Sequence, residues 1–270
     1  MKRIAVITGA SSGLGAAFAV QYAARYAAAQ RCDELWLIAR RADRLDETKR
    51  LITASCSAPR LHIRTIPLLD ISGLGGVRQF QTLLRQEAAC NPFTLILLIN
   101  NAGFGIYGPF ADTPPDEVLS MIDIDIYALT GFCAAALPVM QPGAHIINTA
   151  SLAAFLPVGN YAVYAAAKSY VMSFSLSLNA ELKGRNIGVT AVCPGQVATE
   201  FAQRALGRAS AKMPRGAQAP HVIAAHGLRC AFKHVPLAVW GWRWKLQAFA
   251  SRFVGRSLFA TVSFRWIKRL

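Results

Sequence analysis

Short apolar runs recur along the first 200 residues, at 4–8, 35–39, 62–66, 95–99, 145–149 and 187–192. Between them lie longer Ala-rich or amphipathic stretches, at 14–30, 42–55, 74–90, 115–137 and 161–183. Runs that short, with little polar alternation, predict strands covered on both faces. Strand and helix alternating at this spacing predict a doubly wound α/β fold with a parallel sheet. Ligands of such sheets bind beyond the carboxyl ends of the strands, so the loops there are the place to look for chemistry. Between Asp125 and Lys168 the chain has no Asp, Glu, Lys or Arg. Pro138, Pro142, Gly143, Pro157, Gly159 and Asn160 punctuate that stretch, leaving no piece near the ~20 apolar residues of a membrane span. It reads as a buried core.

Composition narrows the class. With 270 residues, 54% hydrophobic and 16% charged, the chain can build one large core, which excludes a disordered or fibrous protein. Six cysteines without a CxxC pair suggest neither a disulfide framework nor a zinc site, so no metal is expected. The apolar run after Met1-Lys2-Arg3 is too short for a signal peptide, and the expected location is cytoplasmic. The net charge of +15 is uneven: residues 201–270 hold 13 Lys or Arg, no acid, and four of the five Trp. The expected division is a main domain over 1–240 and a basic amphipathic C-terminal extension over 241–270.

The first strand runs into Thr8-Gly9-Ala10-Ser11-Ser12-Gly13-Leu14-Gly15. Glycines there permit a tight turn and close backbone approach to a pyrophosphate, which the amides and dipole of the next helix favour. No Gly-Lys-Ser/Thr follows, which disfavours an ATP or GTP loop. The second strand ends at Arg40, where an acid would accept the ribose hydroxyls of NAD; arginine instead suits the 2′-phosphate of NADP. The plain alternative is a solvated helix start, with Arg41, Asp43 and Arg44 in surface pairs. Asp70 after strand three suits an adenine amino group or a helix cap. After strand four, Asn100 and Asn101 can tie strand ends together, and Ala102-Gly103 lets the chain pass close to a flat ligand. Tyr164 and Lys168 stand i and i+4 on one predicted helix. An ammonium beside a phenol is expected to lower its pKa and fit Tyr164 to exchange protons with a carbonyl or alcohol, while Ser151 orients the substrate oxygen.

These motifs, with Pro194-Gly195 and Thr199, resemble the short-chain dehydrogenase/reductase family in order and spacing over residues 1–200. The resemblance implies a Rossmann fold, a nicotinamide cofactor, here NADP(H), and carbonyl/alcohol interconversion on a small-molecule substrate. It implies that Ser151, Tyr164 and Lys168 are catalytic and that Lys168 also holds the nicotinamide ribose. Gly9, Ser11, Ser12, Gly13, Leu14, Gly15, Arg40, Asp70, Asn101, Ala102, Gly103, Pro194, Gly195 and Thr199 would contact the cofactor. A substrate lid over about 197–220 and a homo-oligomer are expected on the same ground. One position departs: Asp125 stands where the family usually has an Asn that stabilises a helix kink and a water path to the lysine. A charge there is expected to slow catalysis through the proton relay.

The extension leaves three readings open: packing on the body or a second subunit, contact with an anionic membrane surface, or nucleic-acid binding, for which no recognisable module is present. Phe104, Ile106, Tyr107, Phe155, Leu156 and Val158 would favour a lipophilic substrate, or else simply close the core. A catalytically weak NADP-binding scaffold or a membrane-recruited interaction protein are the rival functions, the first resting on Asp125.

Overall fold

The computed structural model describes residues 1–56, 60–67, 70–205 and 216–267, without the side chains of 202–204, 266 and 267. Strands β1 (Lys2–Thr8), β2 (Glu34–Ala39), β3 (His62–Pro67), β4 (Phe93–Asn100), β5 (Met140–Thr149), β6 (Gly188–Val192) and β7 (Leu237–Ala238) form one sheet in the order β3-β2-β1-β4-β5-β6-β7. Every pairing in it is parallel. The first six strands follow the Rossmann order, with the topological switch between β1 and β4, so the binding crevice opens at their carboxyl ends.

Successive residues of β1 show why polar alternation is missing. Ile4 and Val6 point into one apolar cluster, and Ala5 and Ile7 into the other. On the first face lie α3 (Gly73–Cys90) and α5 (Leu129–Ala136), whose Phe80 and Phe132 rings stack 4.1 Å apart. On the second lie α1 (Gly13–Arg25), α2 (Ala42–Ser55) and α8 (Pro220–Phe232), with Phe18, Tyr22 and Leu228 fully buried. Each such side chain removed from water stabilises the fold by ~1.5–3 kcal/mol.

The helix α4 (Pro115–Ile122) continues through a π-helical stretch, Asp123–Ala128, into α5. Pro115 at the first helical position, with Asp116 and Glu117 in the first turn, starts it well. The continuous rod Pro115–Val139 is long and apolar enough, by length and composition, to cross a membrane. This corrects the expectation that punctuation leaves no such length: the rod begins upstream of the uncharged stretch and takes Pro138 into a final 3-10 turn. Its apolar side is the one docked on the sheet, through Leu129, Phe132, Cys133 and Ala136.

Helix α6 (Ala162–Glu181) lies beside this rod. Of the expected lid, residues 206–215 lie outside the described residues. Its two ends are stitched together: the amide of Ala198 donates to the Gln218 carbonyl, and that of Gln218 to the Gln196 carbonyl, both at 2.9 Å. Helix α7 (Glu200–Ala205) follows the first end. The extension forms α9 (Trp242–Ala250) and α10 (Arg256–Ile267), joined by a 3-10 turn, Ser251–Phe253.

Candidate active site

A single cavity of about 1090 Å³ runs along the carboxyl edge of the sheet. At one end is the turn after β1. Gly9 sits at φ +66° in the left-handed region, and a Cβ there would lie 2.8 Å from the Ala102 Cα. The glycine loop and the turn after β4 are therefore pressed together, backbone on backbone. One side chain holds them. The Thr8 hydroxyl accepts the amide hydrogens of Asn101, at 3.0 Å, and Ala102, at 3.1 Å. Thr8→Val, similar in shape, would take the acceptor from both part-buried amides and is expected to cost about 1–2 kcal/mol in urea unfolding. An unchanged midpoint would show that these amides find other partners.

Gly9, Ser11, Ser12, Gly13 and Leu14 face the cavity. Gly15 does not. It is buried beneath the loop, where a Cβ would run into the Gly9 carbonyl oxygen, so its role is packing rather than the expected cofactor contact. Arg40 lines the cavity at the end of β2, as do Asp70 and, beside them, Arg41. Arg41 does form an exposed pair, the plain alternative for this segment, but with partners distant in sequence: its Nη2 donates to the Ser12 Oγ at 2.8 Å and its Nη1 lies 3.1 Å from Glu200 Oε2. Arg41 thus spans the gap between the glycine loop and α7, a link that only the fold reveals. The Asp70 carboxylate accepts the Ser72 amide hydrogen at 3.1 Å, which fits the helix-cap reading while leaving it at the cavity wall.

Further along, Asn101, Ala102 and Gly103 line one wall, and Pro194, Gly195 and Thr199 the other. Asn100 donates to Asn148 at 2.9 Å and Asn148 to the Ser175 hydroxyl at 2.9 Å, a buried polar chain tying β4 and β5 to α6. This chain fixes the height of α6 on the sheet, and with it Tyr164 and Lys168.

At the centre, Ser151, Tyr164 and Lys168 all face the cavity. Ser151 begins a 3-10 turn, its Oγ accepting the Ala153 amide hydrogen at 3.1 Å. That turn is pinned to α6, because the Ser169 hydroxyl donates to the Ala154 carbonyl at 2.8 Å. Tyr164 is buried in an aromatic box: the Tyr161 ring stacks on it at 4.4 Å and Phe201 stands 5.6 Å away.

Lys168 does not behave as the sequence suggests. Its Nζ donates to the Thr149 carbonyl at 3.2 Å and lies 3.2 Å from Asp125 Oδ2, within ion-pair range but off hydrogen-bond geometry. The other Asp125 oxygen accepts the Phe104 amide hydrogen at 3.1 Å. Lysine and aspartate are both buried, and the aspartate sits in the π-helical stretch. Burial raises the Asp125 carboxyl above its ordinary pKa, against the pull of the Lys168 ammonium. The Tyr164 phenol is raised as well, by burial first and by the Asp125 charge second, with the Ser151 hydroxyl acting the other way. The expectation of a phenol lowered by Lys168 is thereby corrected: the ammonium is 5.5 Å from the ring centroid and its charge is matched by Asp125. Asp125 stands within the π-helical stretch Asp123–Ala128.

The profile of the short chain dehydrogenase family matches residues 3–208. The chain belongs to the short-chain dehydrogenase family. Sulfoacetaldehyde reductase 2 of Chromohalobacter salexigens is 31% identical over 209 residues, covering 74% of this chain and 75% of that one. The probable oxidoreductase EphD of Mycobacterium tuberculosis is 30% identical over 198 residues, which are 72% of this chain but 31% of EphD, so the chain spans about a third of that relative. Among solved structures, a short-chain dehydrogenase from Sphingobium yanoikuyae in complex with NADPH is 26% identical, with a TM-score of 0.75 over 94% of each chain. One from Burkholderia phymatum in complex with NAD shares the fold at 22% identity and a TM-score of 0.74 over 92% of each chain.

In this short-chain dehydrogenase much of the remaining cavity lining is apolar. Phe104, Tyr107, Phe155, Leu156 and Val158 line the cavity as expected; Ile106 packs instead in the small cluster of Phe104, Met121, Ile124 and Tyr164. The sequence reading missed Tyr161, Trp244, Gln247, Ser251 and Phe259, which also line it. The Trp244 indole lies against the Gly195 backbone, and the Gly159 amide donates to the Ser263 hydroxyl at 2.9 Å. Of the readings left open for the extension, packing on the body therefore holds for its inner face. Tyr161 was findable as the aromatic three residues before Tyr164; nothing local marks Trp244 or Phe259.

Proposed function

We propose that the chain is an NADP(H)-dependent oxidoreductase interconverting a carbonyl and an alcohol on a bulky lipophilic small molecule. The observation that carries this reading is the convergence of Ser151, Tyr164 and Lys168 in the cavity that also holds the glycine loop and Arg40. The residues present fit a dinucleotide: the glycine loop faces the cavity, where any side chain at Gly9 would part it from the Ala102 turn, Arg40, Arg41 and Asp70 line the same cavity, and the Lys168 ammonium lies at its wall beside the Thr149 carbonyl. The glycine loop would hold the pyrophosphate, Arg40 and Arg41 the 2′-phosphate, Asp70 the adenine, and Lys168 the nicotinamide ribose. When bound, the nicotinamide supplies or accepts hydride.

Tyr164 holds its proton firmly and gives it to the carbonyl oxygen during reduction; the Ser151 hydroxyl donates to the same oxygen and orients it. Tyr161, Phe201 and Phe259 keep water from the reacting centre and offer an apolar wall to the substrate. NADP preference is supported by the two arginines, by the absence of an acid at the end of β2, and by the likeness to a dehydrogenase in complex with NADPH.

The testing experiment is a rate screen with bulky ketones, aldehydes and keto-steroids, with NADPH and NADH in parallel. NADPH is expected to be the better cofactor. Arg40→Ala is expected to lower the NADPH/NADH ratio of kcat/KM by about 10- to 100-fold. Equal use of both cofactors by the wild type would remove the cofactor assignment. A second reading, a scaffold that binds NADP without turnover, is favoured by the Asp125–Lys168 pair alone; cofactor binding with no turnover across the screen would support it.

A further inference from the structure

The two C-terminal helices are turned inside out relative to their sequence. Along α9 the large apolar residues recur at Trp242, Leu246, Phe249 and Phe253, and amphipathic logic would bury that stripe. The structure turns the other one inward, toward the cavity. Trp244, Gln247, Ala248 and Ser251 face the cavity, while Trp242 is 72%, Leu246 58%, Phe249 55% and Phe253 78% exposed. The pattern continues into α10, where Ser263 is buried and Leu258 and Val262 are exposed. A row of large apolar side chains held in water is costly and marks an interaction surface.

Charge identifies the partner. Arg243, Lys245, Arg252, Arg256 and Arg265 are exposed among these residues, and the chain beyond Glu200 has no acid. The guanidinium of Arg243 stands 5.7 Å from the Trp242 ring, and that of Arg252 stands 5.8 Å from Phe249. Cations are thus threaded through the aromatic row rather than segregated from it. A second copy of this chain would bring like charges together across any symmetric pairing of this face. Nucleic acid would use the cations and stack on aromatics, but gains little from Leu246, Val254, Leu258 and Val262. An anionic bilayer satisfies both sets, with headgroup phosphates on the arginines and the acyl boundary on the apolar row.

We propose that the outer face of α9 and α10 docks this protein on anionic lipid bilayers. The inner face of the same helices walls the cavity through Trp244, Gln247, Ala248 and Phe259, so docking sets the substrate end of the site against the lipid. The proposal is independent of the redox reading, since it rests on the outer face alone.

The test is co-sedimentation of the full chain with vesicles of equal parts phosphatidylcholine and phosphatidylglycerol, beside vesicles of phosphatidylcholine only. Wild type is expected to sediment with the anionic vesicles, less with the neutral ones, and to be released by salt. The pair Lys245→Glu/Arg252→Glu is expected to weaken anionic binding at least about tenfold, and Trp242→Ser/Phe253→Ser to a similar degree. These four side chains touch no buried core, and thermal melts matching the wild type check that the variants fold. Wild type remaining in the supernatant overturns the proposal, as does equal binding by folded variants. So does a dimer in sedimentation equilibrium that both pairs dissolve, or an oligonucleotide that binds this face more tightly than the vesicles do.

Discussion

Tyr164→Phe is expected to lower kcat by about 10²- to 10⁴-fold while leaving cofactor binding nearly unchanged. The substitution keeps the ring that stacks on Tyr161 at 4.4 Å and removes only the hydroxyl, so the aromatic box survives. On the proposed mechanism, what is lost is the proton that neutralises the developing alkoxide. The pH dependence follows from the direction of the shift. Burial and the Asp125 charge both raise the Tyr164 phenol, so it stays protonated through neutral pH and above. Reduction needs that protonated form, and its rate should hold across neutral pH and fall only on the alkaline side. Oxidation needs the phenolate, and its rate should climb with pH over the same range. Asp125→Asn removes a negative charge that raises the phenol, so both limbs should move to lower pH. Stopped-flow consumption of NADPH as a function of pH checks each point. Wild-type turnover by Tyr164→Phe would remove Tyr164 from the chemistry, and an unmoved profile in Asp125→Asn would mean that its charge does not reach the phenol.

The fold and the site's membership were readable from local pattern because their causes are local. Strands buried on both faces lose polar alternation, glycine is needed where backbones touch, and i, i+4 spacing puts Tyr164 and Lys168 on one side of α6. What the sequence misjudged depends on distance in the chain. Lys168 was assigned to Tyr164 because they are four residues apart, yet its charge is balanced by Asp125, forty-three positions earlier and brought close by the packing of α6 on the π-helical stretch. Arg41 likewise pairs not with a nearby acid but with Glu200, 159 positions later. The large apolar residues of α9 recur at helical period, yet period leaves open which face packs: Trp244 and Ala248 line the cavity, with the indole against Gly195, while Trp242 and Leu246 are exposed. Periodicity reports that a helix has two faces; only the neighbours decide which is covered.

The largest stability effect is expected at the same ion pair. Lys168→Met leaves the fully buried Asp125 without its cation, and breaking a buried pair from one side costs about 3–5 kcal/mol. The loss should depend on pH in a definite direction. Asp125 already has a folded-state pKa above its ordinary value, and removing Lys168 raises it further, because the ammonium is the main force holding it down. Between the unfolded and folded pKa values the folded protein then binds more protons than the unfolded chain, so stability falls as pH rises through that window. Lys168→Met should therefore lie closest to wild type in acid and farthest from it above neutral pH. Asp125→Asn placed in the same chain replaces the stranded carboxylate with a neutral amide, which should restore most of the loss and flatten its pH dependence. Urea unfolding of the two single variants and the double variant, at several pH values, closes the cycle. A double variant no more stable than Lys168→Met would place the cost in lost lysine packing and its bond to the Thr149 carbonyl, and would leave Asp125 without an electrostatic part in the stability of the site.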